Sequence, residues 1–233
     1  MDVNPRSAEI SSMFDRIAPT YDRLNRLLSL RRDVGWRDYV ARSLATRRVR
    51  SVLDVATGTA DLLLSVCRRI PNLSRAAGVD LAPDMLNLAR TKVARAGITA
   101  EITLGDAHRL PYADESFDAI TVGFGIRNMV DRLRAMTEMH RVLKPRGTLA
   151  ILEFSLPKSP KVRTLYLAYF RHVLPAIGQS ISGDALAYRY LNNSVEAFPS
   201  SEMVNSLLQR AEFFETITRP LTFGVATLYL SRK

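Results

Sequence analysis

From residue 50 onward, short apolar runs alternate with segments whose apolar positions recur at helical spacing. The runs near 50–55, 75–80, 99–104, 117–123 and 147–154 are bounded by turn residues and predict buried strands. The segments between them, near 60–70, 83–96 and 131–143, predict helices. Pro83 suits the first turn of its helix, and Pro145 with Gly147 makes the stop before the fifth strand. Strands alternating with helices argue for a parallel sheet. Residues 8–46 read as helical, with breaks near Pro19 and Asp33 and with Leu24, Leu27 and Leu28 at helical spacing.

The pattern changes after 155. Pro157 and Pro160 interrupt the chain, an aromatic helix is expected over 163–174, and another over 185–198. Ser200 or Ser201 caps a further helix. Runs at 214–217 and 224–230 predict an antiparallel pair closing the sheet edge. The chain thus divides into an N-terminal helical cap (1–48), a core (49–155), a helical insertion (156–198) and a last helix with closing strands (199–233). In doubly wound sheets ligands bind beyond the carboxyl ends of the strands, so an insertion there is placed to cover a substrate.

The most informative turn is Asp54-Val55-Ala56-Thr57-Gly58-Thr59-Ala60-Asp61, between the first strand and its helix. A dinucleotide site wants three glycines that admit a pyrophosphate to a helix N-terminus. This turn has one glycine flanked by two acids, which would repel a diphosphate and suit a cofactor bearing an ammonium and a sulfonium. S-adenosylmethionine carries both and no phosphate. Gly58 would let the backbone approach it closely, and Asp54 or Asp61 could meet its amino group, directly or through water; alternatively Asp61 only caps a helix. Asp80 ends the second strand, where an acid can hold both hydroxyls of a ribose. Gly105-Asp106-Ala107 ends the third strand, where an acid can accept from an adenine amino group while an adjacent amide donates to the ring. The competing reading is a simple Asx turn. Met85 and Leu86 suit either an adenine face or the core.

After the fourth strand, Gly123 and Gly125 permit a tight backbone, and Arg127 and Asn128 stand at the ligand-binding end of the sheet. A guanidinium and an amide there can hold an anionic oxygen of a substrate. Alternatively Arg127 pairs with an acid such as Asp131. Tyr21 lies in the N-terminal helical region, where an aromatic is more often core.

Composition narrows the partners. With 33 Lys and Arg against 23 Asp and Glu the formal charge is +10, and many arginines fall between Arg16 and Arg50. Such a balance attracts nucleic acid or an anionic membrane surface, although for any one arginine a solvated helical face is the better reading. The lone cysteine, Cys67, forms no internal disulfide, which points to a reducing compartment. Three histidines, His108, His140 and His172, are too scattered to suggest a metal site, and none is expected. No run reaches the roughly 20 apolar residues of a membrane span, and Met1-Asp2-Val3-Asn4-Pro5-Arg6 lacks the apolar core of a signal peptide.

Together these pieces resemble the menaquinone/ubiquinone biosynthesis C-methyltransferase family. The resemblance runs from about Met13 to the C-terminus. It rests on Tyr21-Asp22-x-x-Asn25 with Ser29 and Trp36, the turn from Asp54 to Asp61, Gly105-Asp106-Ala107, Phe124-Gly125-Ile126-Arg127-Asn128, and Arg141 to Pro145. Leu152-Glu153-Phe154-Ser155, Gly183-Asp184 and Tyr188-Arg189-Tyr190-Leu191 complete it. The segments Phe124–Asn128, Leu152–Ser155 and Tyr188–Leu191 are the most specific. The resemblance implies a Rossmann-like α/β class I methyltransferase fold, a seven-stranded, mostly parallel sheet with an antiparallel last strand, N-terminal helices and a helical lid. It implies methyl transfer from S-adenosylmethionine to a ring carbon of a polyprenylated quinol. By the family pattern Thr59, Asp80, Asp106 and Ala107 contact the cofactor, and Tyr21, Arg127 and Asn128 lie near the quinol. In that role Arg127 and Asn128 stabilise a developing phenolate, and Tyr21 orients the ring or relays a proton. A cytoplasmic enzyme is expected; since the tail of its substrate lives in the bilayer, its cationic N-terminal helices would touch the inner face of the cell membrane. Naphthoquinol against benzoquinol, tail length and a homodimer stay open.

Two departures stand out. Ala60 occupies a place where many members have glycine, which is tolerable at negative φ. Arg31 and Asp33 replace a glycine and a His or Gln between Ser29 and Trp36. The rival readings are methylation of another small aromatic or lipid, and of RNA. Against RNA, the chain lacks the Asn/Asp-Pro-Pro-Tyr/Phe signature and has no added RNA-binding domain.

Overall fold

The computed structural model describes residues 4–169, 171 and 185–233. The chain opens with two helices, α1 (Pro5–Leu28) and α2 (Arg32–Ala45). There follow β1 (Ser51–Val55), α3 (Asp61–Arg69), β2 (Arg75–Asp80), α4 (Pro83–Arg95), β3 (Glu101–Leu104), β4 (Phe117–Gly123), a 3₁₀ turn at Ile126–Asn128, α5 (Arg132–Val142) and β5 (Leu143–Phe154). The remainder holds α6 (Pro160–Ala168), α7 (Ala185–Glu196), α8 (Ser201–Arg210), β6 (Phe214–Leu221) and β7 (Ala226–Arg232). The end of the helix expected at 163–174, His172 and the Gly183-Asp184 pair lie outside the described residues.

The strands form one sheet in the order β3-β2-β1-β4-β5-β7-β6. The first five strands are mutually parallel, and β7 runs antiparallel to both β5 and β6. The last strand therefore lies inside the sheet, and β6 forms the edge. β1 is buried throughout, and alternation along it feeds two cores. Leu53 and Val55 join Phe117, Ile120, Met136 and Met139 on one face. Val52 joins Val40, Leu44, Leu63 and Val66 on the other. Cys67 packs against this second core, and burial pushes its thiol up to about 11, as befits a small core residue rather than a nucleophile.

α1 runs unbroken through Pro19, against the break expected there. One proline removes one backbone bond, and tertiary contact holds the helix across it. Ala18 packs with Ala82 and Met85 of the α4 region, flanked by Phe14, Ile17, Tyr21 and Leu88. The real break comes at Leu30 and Arg31, both left-handed at φ 50 and 61. Asp131 caps α5 and Ser200 caps α8. Among the described residues no helix is long and apolar enough to cross a membrane.

Winding proceeds outward in both directions from the β1–β4 pair, so the loops after these two strands diverge and leave a crevice. They approach each other closely at its floor. A Cβ built on Gly125 would lie 2.5 Å from the Ala56 Cβ. Gly125→Ala is therefore expected to lower stability by about 1–3 kcal/mol, read as a shift in urea midpoint at unchanged m-value. Arg31→Gly should act in the opposite sense. Relief of the left-handed Cβ clash outweighs the added freedom of the unfolded glycine, for a gain of about 0.5–1 kcal/mol in the same titration.

Candidate active site

Two cavities adjoin at the carboxyl end of the sheet. The first lies over the β1–β4 crevice. Gly58, Asp80, Asp106, Ala107 and Gly123 line it, together with Met85, Asn128 and His108. The outer wall is α1, through Ser7, Ser11, Phe14 and Tyr21. The second cavity, about 330 Å³, is lined by Tyr21, Asn25, Asp33, Trp36, Arg127 and Phe154, with Tyr166, Tyr169 and Leu191 from the insertion. Tyr21 and Phe124 line both cavities and form the wall between them.

In the first cavity, backbone amides organise the acids. The Gly58 N–H donates to Asp80 Oδ2 at 2.7 Å, and the Ala82 N–H donates to Oδ1 at 3.0 Å. One carboxylate thus ties the β1 turn to the start of α4. Burial raises the Asp80 pKa, and the amide donors oppose it. A side chain on Gly58 would meet nothing within 4 Å, so its open side faces the cavity, at φ +55. Asp106 Oδ1 accepts from the His108 N–H at 2.9 Å in an Asx turn, and from the imidazole Nδ1 at 2.6 Å. His108 Nε2 accepts from the Asp131 N–H at 3.2 Å, which assigns the Nδ1–H tautomer. His108 is thereby held in the wall, and Asp131 is engaged with it rather than with Arg127. Met85 reaches the lining; Leu86 is buried behind it.

Asp54 and Thr59 do not line either cavity. The Asp54 oxygens accept from the hydroxyls of Thr57 at 2.7 Å and Thr121 at 2.6 Å. The Thr59 hydroxyl donates to Asp22 of α1 at 2.6 Å and accepts from Lys92 of α4 at 3.0 Å. Lys92 also pairs with Asp22 at 2.7 Å and with Asp61, and Arg26 of α1 pairs with Asp61 at 3.1 Å. The second acid of the turn thus belongs to an ionic knot that fastens α1 over α3 and α4.

In the second cavity the buried cations are Arg37, paired with Asp33, and Arg127, 7% exposed. Its Nη1 donates to Glu153 Oε1 at 2.9 Å and to the Phe124 carbonyl. The Arg127 N–H donates to Glu153 Oε2 at 3.2 Å, and the Phe154 N–H to Oε1 at 2.8 Å. Burial works against the guanidinium charge, but Glu153 outweighs it, and the Arg127 pKa is raised. Its Nε is buried with no hydrogen-bond partner in the protein. The guanidinium lies 5.5 Å from the Phe154 ring centroid. Phe124, Phe154 and Trp36 pack together, with the two phenyl centroids 4.6 Å apart. Phe124 is left-handed at φ 58, a strained backbone at the partition itself. Asn128, expected beside the acceptor with Arg127, lines the first cavity instead; its Oδ1 accepts from the Tyr190 hydroxyl at 3.0 Å, a tether from α7. The Tyr21 phenol is held neutral by burial, against the lowering influence of Arg127.

Glu153, Phe124 and Tyr190 had no role assigned from the residues alone. Glu153 did leave a signal, a lone acid ending the buried run Ala150-Ile151-Leu152. Both departures from the family pattern fall at special backbone positions. Ala60 has φ 67, not the negative value that would make it comfortable, and Arg31 has φ 61. Asp33 lines the second cavity, accepts from the Ser29 hydroxyl at 2.7 Å and pairs with Arg37.

The fold is that of S-adenosylmethionine-dependent methyltransferases. A methyltransferase of that class from Thermotoga maritima superposes with TM-score 0.65 over 95% of this chain and 99% of its own, at 19% identity. Another from Aquifex aeolicus gives TM-score 0.58 over 78% of this chain and 81% of its own, at 19% identity. The chain belongs to the ubiE/COQ5 methyltransferase family, whose profile matches residues 2–233. Among its relatives is the demethylmenaquinone methyltransferase of Deinococcus radiodurans, 44% identical over 100% of this chain and 95% of that protein. The ubiquinone/menaquinone biosynthesis C-methyltransferase UbiE of Geobacter sp. strain M21 is 42% identical over 99% of each.

The buried Asp54 makes a pH prediction. Desolvation raises its pKa from 3.8 to about 6, partly offset by the two threonine hydroxyls. Between about pH 4 and 6 the folded chain holds a proton the unfolded chain has released, so stability falls as pH rises through that window, by roughly 3 kcal/mol in full. Asp54→Asn should gain in urea midpoint relative to wild type as pH goes from 4 to 7. A constant offset between the two proteins at every pH would contradict this.

Proposed function

We propose that this enzyme transfers a methyl group from S-adenosylmethionine to a ring carbon of a polyprenylated quinol, converting demethylmenaquinol to menaquinol or acting on the corresponding ubiquinol precursor. Family membership and the names of its relatives support the reaction class. The observation that carries the site assignment is the pair of cavities sharing Tyr21 and Phe124, one walled by acids and glycines, the other by aromatics around a buried arginine.

The first cavity fits the cofactor. Its donor and acceptor set is carboxylate and backbone amide rather than a phosphate cradle, and Gly58 leaves it open. Asp80 would hold the ribose hydroxyls, Asp106 and Ala107 the adenine edge, and Gly58 and Gly123 the close backbone. Asp54 and Thr59 act from behind this wall, by fixing the turn and by fastening α1. When bound, the cofactor supplies an electrophilic methyl group on a sulfonium.

The chain's own task is then to create and aim a carbon nucleophile. A quinol hydroxyl beside the target carbon directs electron density onto it as the O–H is polarised; that carbon would take the methyl group as its bond to sulfur breaks, and then lose its own ring proton to water to restore the aromatic ring. Arg127 turns its guanidinium, part of the cavity lining, to the quinol oxygen, and Glu153 keeps it charged and oriented. A preorganised cation in a dry site stabilises developing phenolate far better than water does. Asn128, held by Tyr190, stands on the cofactor side of the partition rather than beside Arg127, and Tyr21 and Phe124 align the ring at the partition. The insertion covers the acceptor through Tyr166, Tyr169 and Leu191.

The test offers reduced demethylmenaquinol and demethylubiquinol analogues with labelled S-adenosylmethionine. Label is expected on the quinol ring; label only on simple phenols or sterols would reject the acceptor. Arg127→Ala should lower kcat by about 10²–10³-fold while calorimetric affinity for S-adenosylmethionine stays within about twofold, because Arg127 lines only the second cavity. Equal losses in both would move Arg127 to the cofactor site.

A further inference from the structure

Two turns contribute to the rim of the second cavity through Leu30 and Thr222, and both expose a large hydrophobe from a strained backbone. Leu30, between α1 and α2, is 76% exposed at φ 50. Phe223, between β6 and β7, is 85% exposed at φ 58. Leu30 and Thr222 both line the cavity, and the Trp36 indole N–H donates to the Thr222 hydroxyl at 2.8 Å. The two turns are thereby pinned to the same rim.

Neither residue serves its turn. A left-handed backbone favours glycine or asparagine, and a bulky apolar side chain there adds local strain. Water is also a poor neighbour for a phenyl ring exposed beside an apolar opening. The folded chain on its own therefore gains nothing from leucine and phenylalanine at these tips. The charge pattern indicates what does. Arg31 and Arg32 follow Leu30 directly and are exposed, and Arg32 reaches the cavity lining. Lys161 and Arg163 are exposed on α6, the helix that gives Tyr166 to the same cavity. Apolar prongs with two cations beside one of them, and further cations on a helix of the same cavity, match a surface with an apolar interior and anionic headgroups.

We propose that Leu30 and Phe223 are a two-pronged insertion site that seats the mouth of the second cavity on an anionic lipid bilayer, with Arg31 and Arg32 at headgroup depth. The inference extends the quinol reading, since a prenylated acceptor would then pass from bilayer to cavity without crossing water. Its test needs no turnover.

The full chain is sedimented with vesicles of phosphatidylcholine alone, or of phosphatidylcholine with roughly one-third phosphatidylglycerol. Wild type is expected to partition onto the anionic vesicles and only weakly onto the neutral ones. Phe223→Ser should bind about 10-fold less, Leu30→Ser with Phe223→Ser about 100-fold less, and Phe223→Trp at least as well as wild type. Arg31→Glu with Arg32→Glu should abolish the preference for anionic vesicles. Both prongs are solvent-exposed, so the serine variants should keep the wild-type circular dichroism and thermal midpoint. Unchanged vesicle binding by Phe223→Ser would overturn the proposal. So would wild-type self-association in sedimentation velocity that this substitution abolishes, since it would assign the prongs to a second copy of the chain. If detergent-dispersed quinol is methylated while vesicle binding ignores the prongs, this inference fails alone. If the prongs bind vesicles while no quinol is methylated, the acceptor assignment fails alone.

Discussion

A parallel sheet that winds both ways from one pair of strands must leave a gap where the windings part, and the site of this protein grows from that gap. β1 and β4 lie side by side, yet their chains depart in opposite directions. The contact of Gly125 with Ala56 sets how closely the two departing loops can approach. From this point Gly58 turns towards Asp80 on one side, and Phe124 and Arg127 turn towards Glu153 on the other. Each loop is held by a carboxylate from a neighbouring strand, so the floor of both cavities is built by the sheet and not by the loops themselves.

The electrostatics run against the overall composition. A chain of formal charge +10 concentrates buried carboxylates at its working end. Asp54 and Glu153 are withdrawn from water and Asp80 partly so, and they are satisfied by hydroxyls, Arg127 and amides respectively. A buried ion pair such as Arg127–Glu153 contributes little net stability, because desolvation offsets the attraction. Its retention makes sense as a way to hold one cation in one orientation inside a dry cavity.

Much of the core was legible in the chain. The five parallel strands, the lone-glycine turn, the acid closing β2 and the arginine after β4 all follow from local pattern and spacing. What escaped was non-local. Pro19 is tolerated because α1 rests on α4, a contact between segments some seventy positions apart in which Ala18 meets Met85. Arg127 pairs with Glu153 rather than the nearer Asp131 because β5 lies beside β4. Thr59 and Asp61 turn away from the cavities because Asp22 and Lys92 arrive from two other helices. The backbone at Ala60 and Arg31 escaped for another reason. Alanine at 60 suggested an ordinary negative φ and nothing in the arginine at 31 signalled its backbone, whereas both turns impose left-handed values.

One helix closes both chambers. α1 contributes Ser7, Ser11 and Phe14 to the outer wall of the first, Asn25 to the second, and Tyr21 to the partition. It is buckled down by Asp22 and Arg26 through Lys92 and Asp61. Loading either compartment through that wall means loosening the same clasp, so neither can be opened there without disturbing the other. A single piece of chain thus joins the walls of the two chambers, and a shift of α1 that widens one reshapes the other.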